Sequence, residues 1–225
     1  MPSQTATGAA ILERHDRTPT LRQVLAIGSQ KGGVAKTTTP LYLAARAAAR
    51  FNSTPEKPSV CIVDRDEARN LTALVELRPA VLASGVCLLP GTSVPVTTEG
   101  YKLVLIDTPP GLSAIDSLRE ADLLVVPVLP EEQGVANLVR YLRLIEGQRR
   151  TISPRLKLLA LLPTMVDARN PLHRDMLTQI GRIAEHHIAS LRILPPVPRS
   201  NRIARCDLRA PGYSAAAQEL LDALG

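Results

Sequence analysis

Aromatic residues are scarce in this 225-residue chain, which has no tryptophan, one phenylalanine and four tyrosines. Proteins that bind single-stranded nucleic acid by stacking its bases need several aromatic rings, so the composition argues against that class. The three cysteines, Cys61, Cys87 and Cys206, are widely spaced and include no C-x-x-C pair, which argues against a disulfide framework and a zinc site. Apolar runs such as residues 158–162 are far shorter than the ~20 residues of a membrane helix. These absences predict a soluble intracellular protein.

Positive charge is concentrated in one region of the chain. The formal net charge is +6, but residues 140–209 contain 14 arginines and lysines against 5 acidic residues, whereas residues 1–139 contain 13 against 14. The apolar fraction of 45% excludes a disordered chain. An evenly solvated surface would not show this asymmetry, which favours a polyanionic partner. Arginine-rich but merely solvated helix faces are the alternative interpretation.

Short apolar runs alternate with helical patterns along most of the chain, an order typical of β-α-β units on a parallel sheet. The runs are apolar at nearly every position, as expected of strands that are buried on both faces. We therefore predict an α/β fold with a doubly wound, mostly parallel sheet flanked by helices. It would form one domain over residues 23–225, after a flexible arm over residues 1–22. Strands are predicted at 25–29, 60–63, 103–106, 123–127 and 156–162, with weaker candidates at 86–89 and 192–194. Helices are predicted at 36–50, 131–149, 171–189 and 214–224.

A glycine-containing loop, residues 29–38, lies between the first predicted strand and the first predicted helix. Gly32 and Gly33 allow the backbone to point N–H groups at phosphate oxygens, and the helix N-terminus adds positive potential. Lys36 is placed to contact β- and γ-phosphates, and the hydroxyl of Thr37 is placed to bind Mg²⁺. The loop thus predicts a nucleotide-phosphate site. Its predicted nucleotide-binding residues are Lys31, Gly32, Gly33, Val34, Ala35, Lys36, Thr37 and Thr38.

The loop has the pattern K-G-G-x-x-K-[S/T]. It departs from G-x-x-x-x-G-K-[S/T] because Gln30 and Ala35 occupy the two glycine positions. With the pattern K-G-G-x-x-K-[S/T], the chain resembles the ParA/Soj/MinD family of ATPases, whose phosphate loop is called a deviant Walker A motif. The resemblance implies ATP and Mg²⁺ as cofactors, catalytic roles for Lys31 and Lys36, and a homodimer in which Lys31 reaches the nucleotide of the partner subunit. If the position of Ala35 requires a positive φ, alanine adds strain of order 1 kcal/mol.

Carboxylates end two of the predicted strands. Asp64 and Asp66 have an i, i+2 spacing that directs both side chains the same way, at the edge of the sheet where α/β proteins bind ligands. The resemblance implies that Asp66 is catalytic and positions or activates the attacking water, and Asp64 is better placed to hold Mg²⁺. Asp107 ends its strand as a Walker B aspartate does, which predicts another Mg²⁺ ligand. After Asp66 the family usually continues Pro-Gln-Gly-Asn, whereas residues 67–70 are Glu-Ala-Arg-Asn and keep only the asparagine.

The resemblance covers roughly residue 24 to the C-terminus. Residues 164–169 and 197–202 match two family segments that flank the adenine base and the DNA-facing edge of the dimer. Met165 and Pro198 are therefore predicted to line the base pocket, although Met165 also fits a place in the core. The predicted DNA contacts are Arg169, Arg199, Arg202 and Arg205. For Arg169 and Arg202 the alternative is a surface ion pair.

The function predicted from these residues is that of an ATPase that partitions a plasmid or a chromosome locus. ATP would close a homodimer, the dimer would bind duplex DNA without sequence preference, and slow hydrolysis, stimulated by a ParB-like partner, would release the DNA. We expect a cytoplasmic, nucleoid-associated protein of the compact type, without an N-terminal helix-turn-helix domain. Membrane attachment is not expected because residues 214–225 contain no lysine or arginine. Two alternatives are a nucleotide-gated DNA-binding regulator with little turnover and a MinD-like membrane-associated positioning ATPase.

Overall fold

The computed structural model describes residues 22–91, 100–111, 114–187 and 191–224. Within these residues seven parallel strands form one sheet, in the order β3-β2-β4-β1-β5-β6-β7. The strands are β1 (Gln23–Ile27), β2 (Val60–Asp64), β3 (Val86–Pro90), β4 (Leu103–Asp107), β5 (Leu123–Val128), β6 (Lys157–Pro163) and β7 (Arg192–Ile193). The predicted parallel α/β fold is confirmed.

Helices cover both faces of the sheet. They are α1 (Thr38–Arg50), α2 (Asn70–Leu77), α3 (Ala114–Leu118), α4 (Glu132–Ile152), α5 (Pro171–His187), α6 (Asn201–Ala204) and α7 (Ser214–Ala223). In the described part of the chain, a 3₁₀ turn at Pro79–Val81 follows α2 and another at Pro211–Tyr213 precedes α7. Among the described residues, no helix combines the length and the apolar character that crossing a bilayer requires.

Alternation along each strand divides the core into two layers. On β1, Leu25 and Ile27 join the cluster that contains α1 and α7, whereas Val24 and Ala26 join the cluster that contains α4 and α5. All four side chains are almost completely buried. Successive strand residues point to opposite faces of a sheet, so a strand with helices on both sides must be apolar at every position. This explains the continuous apolar runs in the sequence.

The predicted elements are present, with shifted ends. β1 ends at Ile27 rather than 29, and α1 begins at Thr38 rather than 36. Helices α2, α3 and α6 were not predicted. The residue before α2, Arg69, is left-handed and provides no side-chain cap. Asn70, a residue type that often precedes a helix, is instead the first residue of α2, and its side chain bonds to Asp66. The predicted arm except for residue 22, and the predicted helix end at 188–189, lie outside the described residues.

The carboxyl ends of β1, β2 and β4 meet at one edge of the sheet. Asp64 at the end of β2 is paired in register with Asp107 at the end of β4, and Asp107 is paired with Ile27 at the end of β1. The chain proceeds from β1 toward β2 and β3 on one side, and later toward β5 and β6 on the other. Ligands bind at such a reversal of strand order in open α/β sheets. The fold therefore brings the phosphate loop and both aspartates together.

Candidate functional site

The phosphate loop connects β1 to α1 and is open on its outer side. Gly32 and Gly33 are exposed, and a Cβ atom added at either would meet no other atom within 4 Å. The hydroxyl of Ser29 donates a hydrogen bond to the carbonyl of Lys31 at 2.9 Å, which closes the base of the loop. The open space above the two glycines leaves room for a phosphate.

Ala35 has a φ of +66°, a value in the positive range for which the sequence analysis predicts strain. Its carbonyl accepts hydrogen bonds from the amide and the hydroxyl of Thr39, at 3.0 and 2.7 Å. These bonds fix the turn into α1 and hold Ala35 in the left-handed region. An L-residue with a Cβ is strained there by roughly 1–2 kcal/mol. The condition on which strain was predicted at this position, a positive φ, is therefore met.

The two lysines of the loop differ in their surroundings. Lys36 is buried, and its Nζ donates a hydrogen bond to the carbonyl of Lys31 at 2.8 Å. Burial lowers the pKa of Lys36, while the negative charges of Asp107 and Asp66 act in the opposite direction. The Nζ of Lys31 instead lies 3.9 Å from Oε2 of Glu131, and both side chains are more than a third exposed. Lys36 faces inward and Lys31 is held at the surface.

Asp107 is a buried carboxylate near the hydroxyl of Thr37. The residue is 1% exposed, and within the described part of the chain neither Oδ1 nor Oδ2 has a partner of ordinary hydrogen-bond geometry. Burial raises the pKa of Asp107 to about 7, and the charge of Asp64 adds to this effect. The Thr37 hydroxyl and the charge of Lys36 lower the pKa. A buried carboxylate without a partner is costly, so this position fits a bound cation. Thr37 and Asp107 together offer the oxygen ligands that Mg²⁺ prefers.

Asp64 and Asp66, two residues apart, have different environments. Asp64 is completely buried, and its Oδ2 accepts hydrogen bonds from the amide and hydroxyl of Thr72 at 2.9 and 2.6 Å. Asp66 is half-buried, and its carboxylate accepts hydrogen bonds from the side-chain amide of Asn70 at 2.9 Å and from the amide of Ala68 at 3.1 Å. Asp66 therefore faces the cleft, whereas Asp64 faces the interior.

A polar cleft of about 300 Å³ lies over the phosphate loop. Its walls combine six loop residues with side chains from three other segments. The lining residues are Gly32, Gly33, Ala35, Lys36, Thr37, Thr38, Asp66, Asn70, Thr108, Pro110 and Met165. Of the predicted phosphate-loop residues, Lys31 and Val34 instead line a smaller cavity between the loop, β5 and α4. Asn70, Thr108 and Pro110 were not singled out from the sequence as site residues, although Asn70 matches the family asparagine and residues 108–111 resemble a family loop.

A second, mainly apolar pocket of about 110 Å³ adjoins this cleft. Ala35, Thr38 and Met165 line both cavities. The remaining lining residues are Thr164, Val197, Pro198, Arg199, Ser200, Asn201, Ile203, Ala204 and Tyr213. The structure thus brings the predicted Met165 and Pro198 together in one pocket. Met165 has a φ of +55° and is half-buried.

A protein-family model described as the CobQ/CobB/MinD/ParA nucleotide binding domain matches residues 25–210. The chain belongs to this family. The chromosome-partitioning ATPase Soj of Thermus thermophilus is 31% identical over 215 residues, which cover 80% of this chain and 82% of Soj. The resemblance to the ParA/Soj type is thereby confirmed.

Solved structures share the fold of this CobQ/CobB/MinD/ParA domain. Apo McdA from Cyanothece has a TM-score of 0.73 and 20% identity, over 91% of this chain and all of that chain (100%). Cobyrinic acid a,c-diamide synthase from Mycobacterium smegmatis, in a structure with bound ADP and magnesium, has a TM-score of 0.68 and 25% identity. That match covers 89% of this chain and 94% of the synthase chain. A sheet of this kind therefore holds a nucleotide and magnesium in a related protein.

Four arginines line an open cleft of about 650 Å³ on the surface of the domain. This arginine cleft is formed by Arg78, Arg202, Arg205 and Arg209, together with Pro79, Ala80, Val81, Cys206, Asp207 and Leu208. The guanidinium of Arg78 donates a hydrogen bond to the carbonyl of Arg205 at 3.1 Å. Arg78 was not predicted as a site residue because it lies far from the basic region of the sequence.

The other predicted DNA contacts lie in different places. Arg169 is largely exposed and its Nε is 3.4 Å from Oδ1 of Asp167. Arg199 lines the apolar pocket rather than the arginine cleft. Arg202 lines the arginine cleft, and its Nε is 2.8 Å from Oδ2 of Asp207. Arg169 and Arg202 thus both make surface ion pairs, and their predicted contacts with DNA stay predictions.

Proposed function

We propose that this protein is a ParA-type partitioning ATPase that binds ATP across the two adjoining cavities. The observation that supports this proposal is that the polar cleft and the apolar pocket adjoin and share three lining residues, Ala35, Thr38 and Met165. The cleft over the phosphate loop suits the triphosphate, and the apolar pocket lined by Met165 and Pro198 suits the base. Lys36 would exchange its hydrogen bond with the Lys31 carbonyl for a phosphate oxygen.

Thr37 and Asp107 would hold Mg²⁺ beside the phosphates. When bound, Mg²⁺ supplies positive charge that offsets the charge developing on the phosphate oxygens. The buried carboxylate of Asp107 supports this assignment because its oxygens have no partner of ordinary hydrogen-bond geometry within the described residues, and the nearby Thr37 hydroxyl is itself a candidate ligand. Its position one strand from the phosphate loop supports it as well, since β4 pairs directly with β1.

Asp66 would orient the water that attacks the γ-phosphate. Its carboxylate borders the phosphate cleft and is held by Asn70 and the amide of Ala68, so its direction is defined before substrate binds. Phosphoryl transfer needs mainly positioning and electrostatic stabilisation, which Lys31, Lys36 and Asp66 are suited to supply. We propose slow turnover that a ParB-like partner stimulates.

Lys31 would complete the site of a second subunit in an ATP-dependent homodimer. It lies on the outer surface of the loop next to the exposed Gly32, and its ion pair with Glu131 is long and partly exposed. Such pairs contribute only about 0–1 kcal/mol, so little free energy holds Lys31 back. The phosphates of a partner's nucleotide are a stronger attraction for its ammonium group.

The arginine cleft would bind the backbone of duplex DNA. Its lining contains four arginines and one acidic residue, Asp207, so the cleft carries a net positive charge. Arginines bind phosphates without reading sequence, and such binding weakens steeply with salt. We propose that ATP-dependent dimerisation joins two of these surfaces on nucleoid DNA in the cytoplasm, and that hydrolysis releases them. The cargo would be a plasmid or a chromosome locus.

A DNA-binding regulator with little turnover is the second candidate. Two residues of the site adopt left-handed φ at positions where the related motifs have glycine, namely Ala35 at +66° and Arg69 at +49°. Such backbone conformations cost on the order of 1–3 kcal/mol each in residues other than glycine, which favours a site with weakened turnover. A membrane-attached ATPase has no such support, since the apolar residues of α7, among them Leu220 and Leu221, are buried in the core with α1.

DNA binding in four nucleotide states tests the proposal. The purified protein is mixed with unrelated DNA duplexes without nucleotide, with ADP, with ATP and with a slowly hydrolysed ATP analogue, at two salt concentrations. We expect binding that requires the triphosphate, ignores sequence and weakens with salt, and we expect Lys36→Ala to abolish it. Binding with ATP but undetectable hydrolysis, even with DNA and partner, would favour the regulator. Equal binding in all four states would refute the ATP switch.

A further inference from the structure

The carboxylate of Asp64 joins three parts of the nucleotide site. Asp64 is the last residue of β2 and is 0% exposed. Its Oδ2 accepts the amide and the hydroxyl of Thr72, and its Oδ1 accepts the amide of Asp66 at 3.2 Å. This buried side chain at the end of β2 thus contacts both the loop that carries Asp66 and the first turn of α2.

These hydrogen bonds provide the N-terminal cap that the residues at the start of α2 do not provide themselves. Thr72 is the third residue of α2, and the first amides of a helix have no acceptor within the helix. The side chain of Arg69, at the cap position, makes no capping hydrogen bond. Asp64 therefore caps α2 from the neighbouring strand, and its negative charge is favourable at the positive end of the helix dipole.

The capped helix in turn orients Asp66. Asn70, the first residue of α2, donates from its side-chain amide to Oδ2 of Asp66, while the backbone amide of Asp66 donates to Asp64. The loop between Asp64 and Asn70 is consequently held at both ends. If the bonds between Asp64 and Thr72 were lost, α2 and Asn70 would be free to shift, and the carboxylate of Asp66 would shift with them.

Asp64 and Asp107 are paired in register on the adjacent strands β2 and β4, but their carboxylates differ in hydrogen bonding. The oxygens of Asp64 accept three hydrogen bonds, whereas those of Asp107 have no partner of ordinary hydrogen-bond geometry among the described residues and only the hydroxyl of Thr37 nearby. We propose that Asp64 is a positioning residue that sets Asp66 through Thr72 and α2, and that it is not a Mg²⁺ ligand. This inference rests on the proposed function for the hydrolytic role of Asp66.

Variants of Thr72 separate the two roles, because Thr72 contacts Asp64 but is not a candidate metal ligand. Thr72→Val removes the hydroxyl at nearly constant shape, and Thr72→Ser keeps it. We expect Thr72→Val and Asp64→Asn each to lower kcat for ATP hydrolysis about tenfold, the effect of one charged hydrogen bond. The KM for ATP and the Mg²⁺ concentration for half-maximal rate should change less than about twofold, and Thr72→Ser should retain most of the activity. Thr178→Val, a matched change on the exposed surface of α5, is the control.

Metal ligation by Asp64 predicts a different pattern. Asp64→Asn would then raise the half-maximal Mg²⁺ concentration about tenfold or more, while Thr72→Val would behave as wild type. That pair of results would overturn the proposal. A tenfold loss of kcat in Thr72→Ser as well would also overturn it, because the effect would not depend on the hydroxyl.

Hydrogen exchange of the nucleotide-free protein provides a readout that needs no hydrolysis. Peptides covering residues 65–77 should exchange faster in Thr72→Val and Asp64→Asn than in wild type, Thr72→Ser and Thr178→Val. If wild type does not hydrolyse ATP, the proposed function fails, yet faster exchange would still support the capping of α2 by Asp64. If exchange in this segment is unchanged in both variants, the positioning role fails even where hydrolysis is normal.

Discussion

Replacing Asp107 by asparagine removes the charge of a carboxylate that the fold buries beside the phosphate loop. Burial raises the pKa of Asp107 from 3.8 to about 7 in the folded protein. The stabilising effect of protonation is therefore complete below pH 3.8 and is lost as the pH rises through about 7. At ~1.4 kcal/mol per pH unit, this difference in pKa costs the folded state about 2 kcal/mol at pH 5, where Asp107 must take up a proton on folding, and on the order of 4 kcal/mol at pH 8, where the buried carboxylate is ionised.

Urea denaturation at pH 5 and pH 8, with EDTA present, measures this cost. Asp107→Asn should be more stable than wild type at both values, and the gain should be about 2 kcal/mol larger at pH 8. The control is Asp116→Asn, since the side chain of Asp116 is 81% exposed and its removal should change little. Added Mg²⁺ and ADP should stabilise wild type and Asp116→Asn, but stabilise Asp107→Asn much less.

A gain that does not depend on pH would refute this reasoning. So would a loss of stability at pH 8, because it would mean that the ionised carboxylate is compensated within the protein. In either case Asp107 would have no need of a cation, and its assignment to Mg²⁺ would lose its physical basis. Equal stabilisation of all three proteins by Mg²⁺ and ADP would separately exclude Asp107 from the metal site.

Three further substitutions test the loop, the arginine cleft and the packing beneath the loop. Ala35→Gly relieves a φ of +66° and should raise the free energy of unfolding by about 1 kcal/mol in urea denaturation; an unchanged or lower value would show an unstrained loop. Arg78→Ala should weaken the binding of duplex DNA in fluorescence anisotropy and reduce the slope of log K against log salt by about one. The exposed Arg119, which does not line the arginine cleft, is the matched control, and equal effects of the two alanine variants would assign no DNA contact to the cleft. Gly28→Ala would place a Cβ 2.5 Å from the hydroxyl of the buried Tyr141 and should destabilise the protein by about 1–3 kcal/mol. Adding Tyr141→Phe removes that oxygen and should recover most of the lost stability. If stability is not recovered, the steric clash does not involve the Tyr141 hydroxyl.

The strands and the phosphate loop could be predicted because their signals are local. A strand buried on both faces must be apolar throughout, which marked β1, β2, β4, β5 and β6 in the sequence. The spacing of Lys31, Gly32, Gly33, Lys36 and Thr37 likewise reflects a turn that a few consecutive residues make by themselves. The strain expected at Ala35 if its φ were positive depends on the same short turn, and the structure gives that φ as +66°.

Helix α2 and the partners of its residues could not be predicted in this way. Its first residue follows the left-handed Arg69, and its cap comes from Asp64 on the preceding strand rather than from its own N-terminus. Nothing in the spacing of Asp64 and Thr72 shows that this carboxylate is already engaged. The arginine cleft poses the same difficulty, because Arg78 joins Arg205 from a distant part of the chain.

The sequence by itself determined the fold class, the phosphate loop and the strand ends at which the aspartates stand, since each depends on periodicity or on a short motif. Only the tertiary structure decided which of the two buried aspartates receives hydrogen bonds from α2 and which does not. Asp64 and Asp107 follow similar apolar strands, but α2 brings hydrogen-bond donors to Asp64 and none to Asp107 within the described residues. The register of the sheet also places Cys61 beside Cys87, although 25 residues separate them in sequence. Such contacts depend on how the helices pack and the strands pair, and a single sequence records neither.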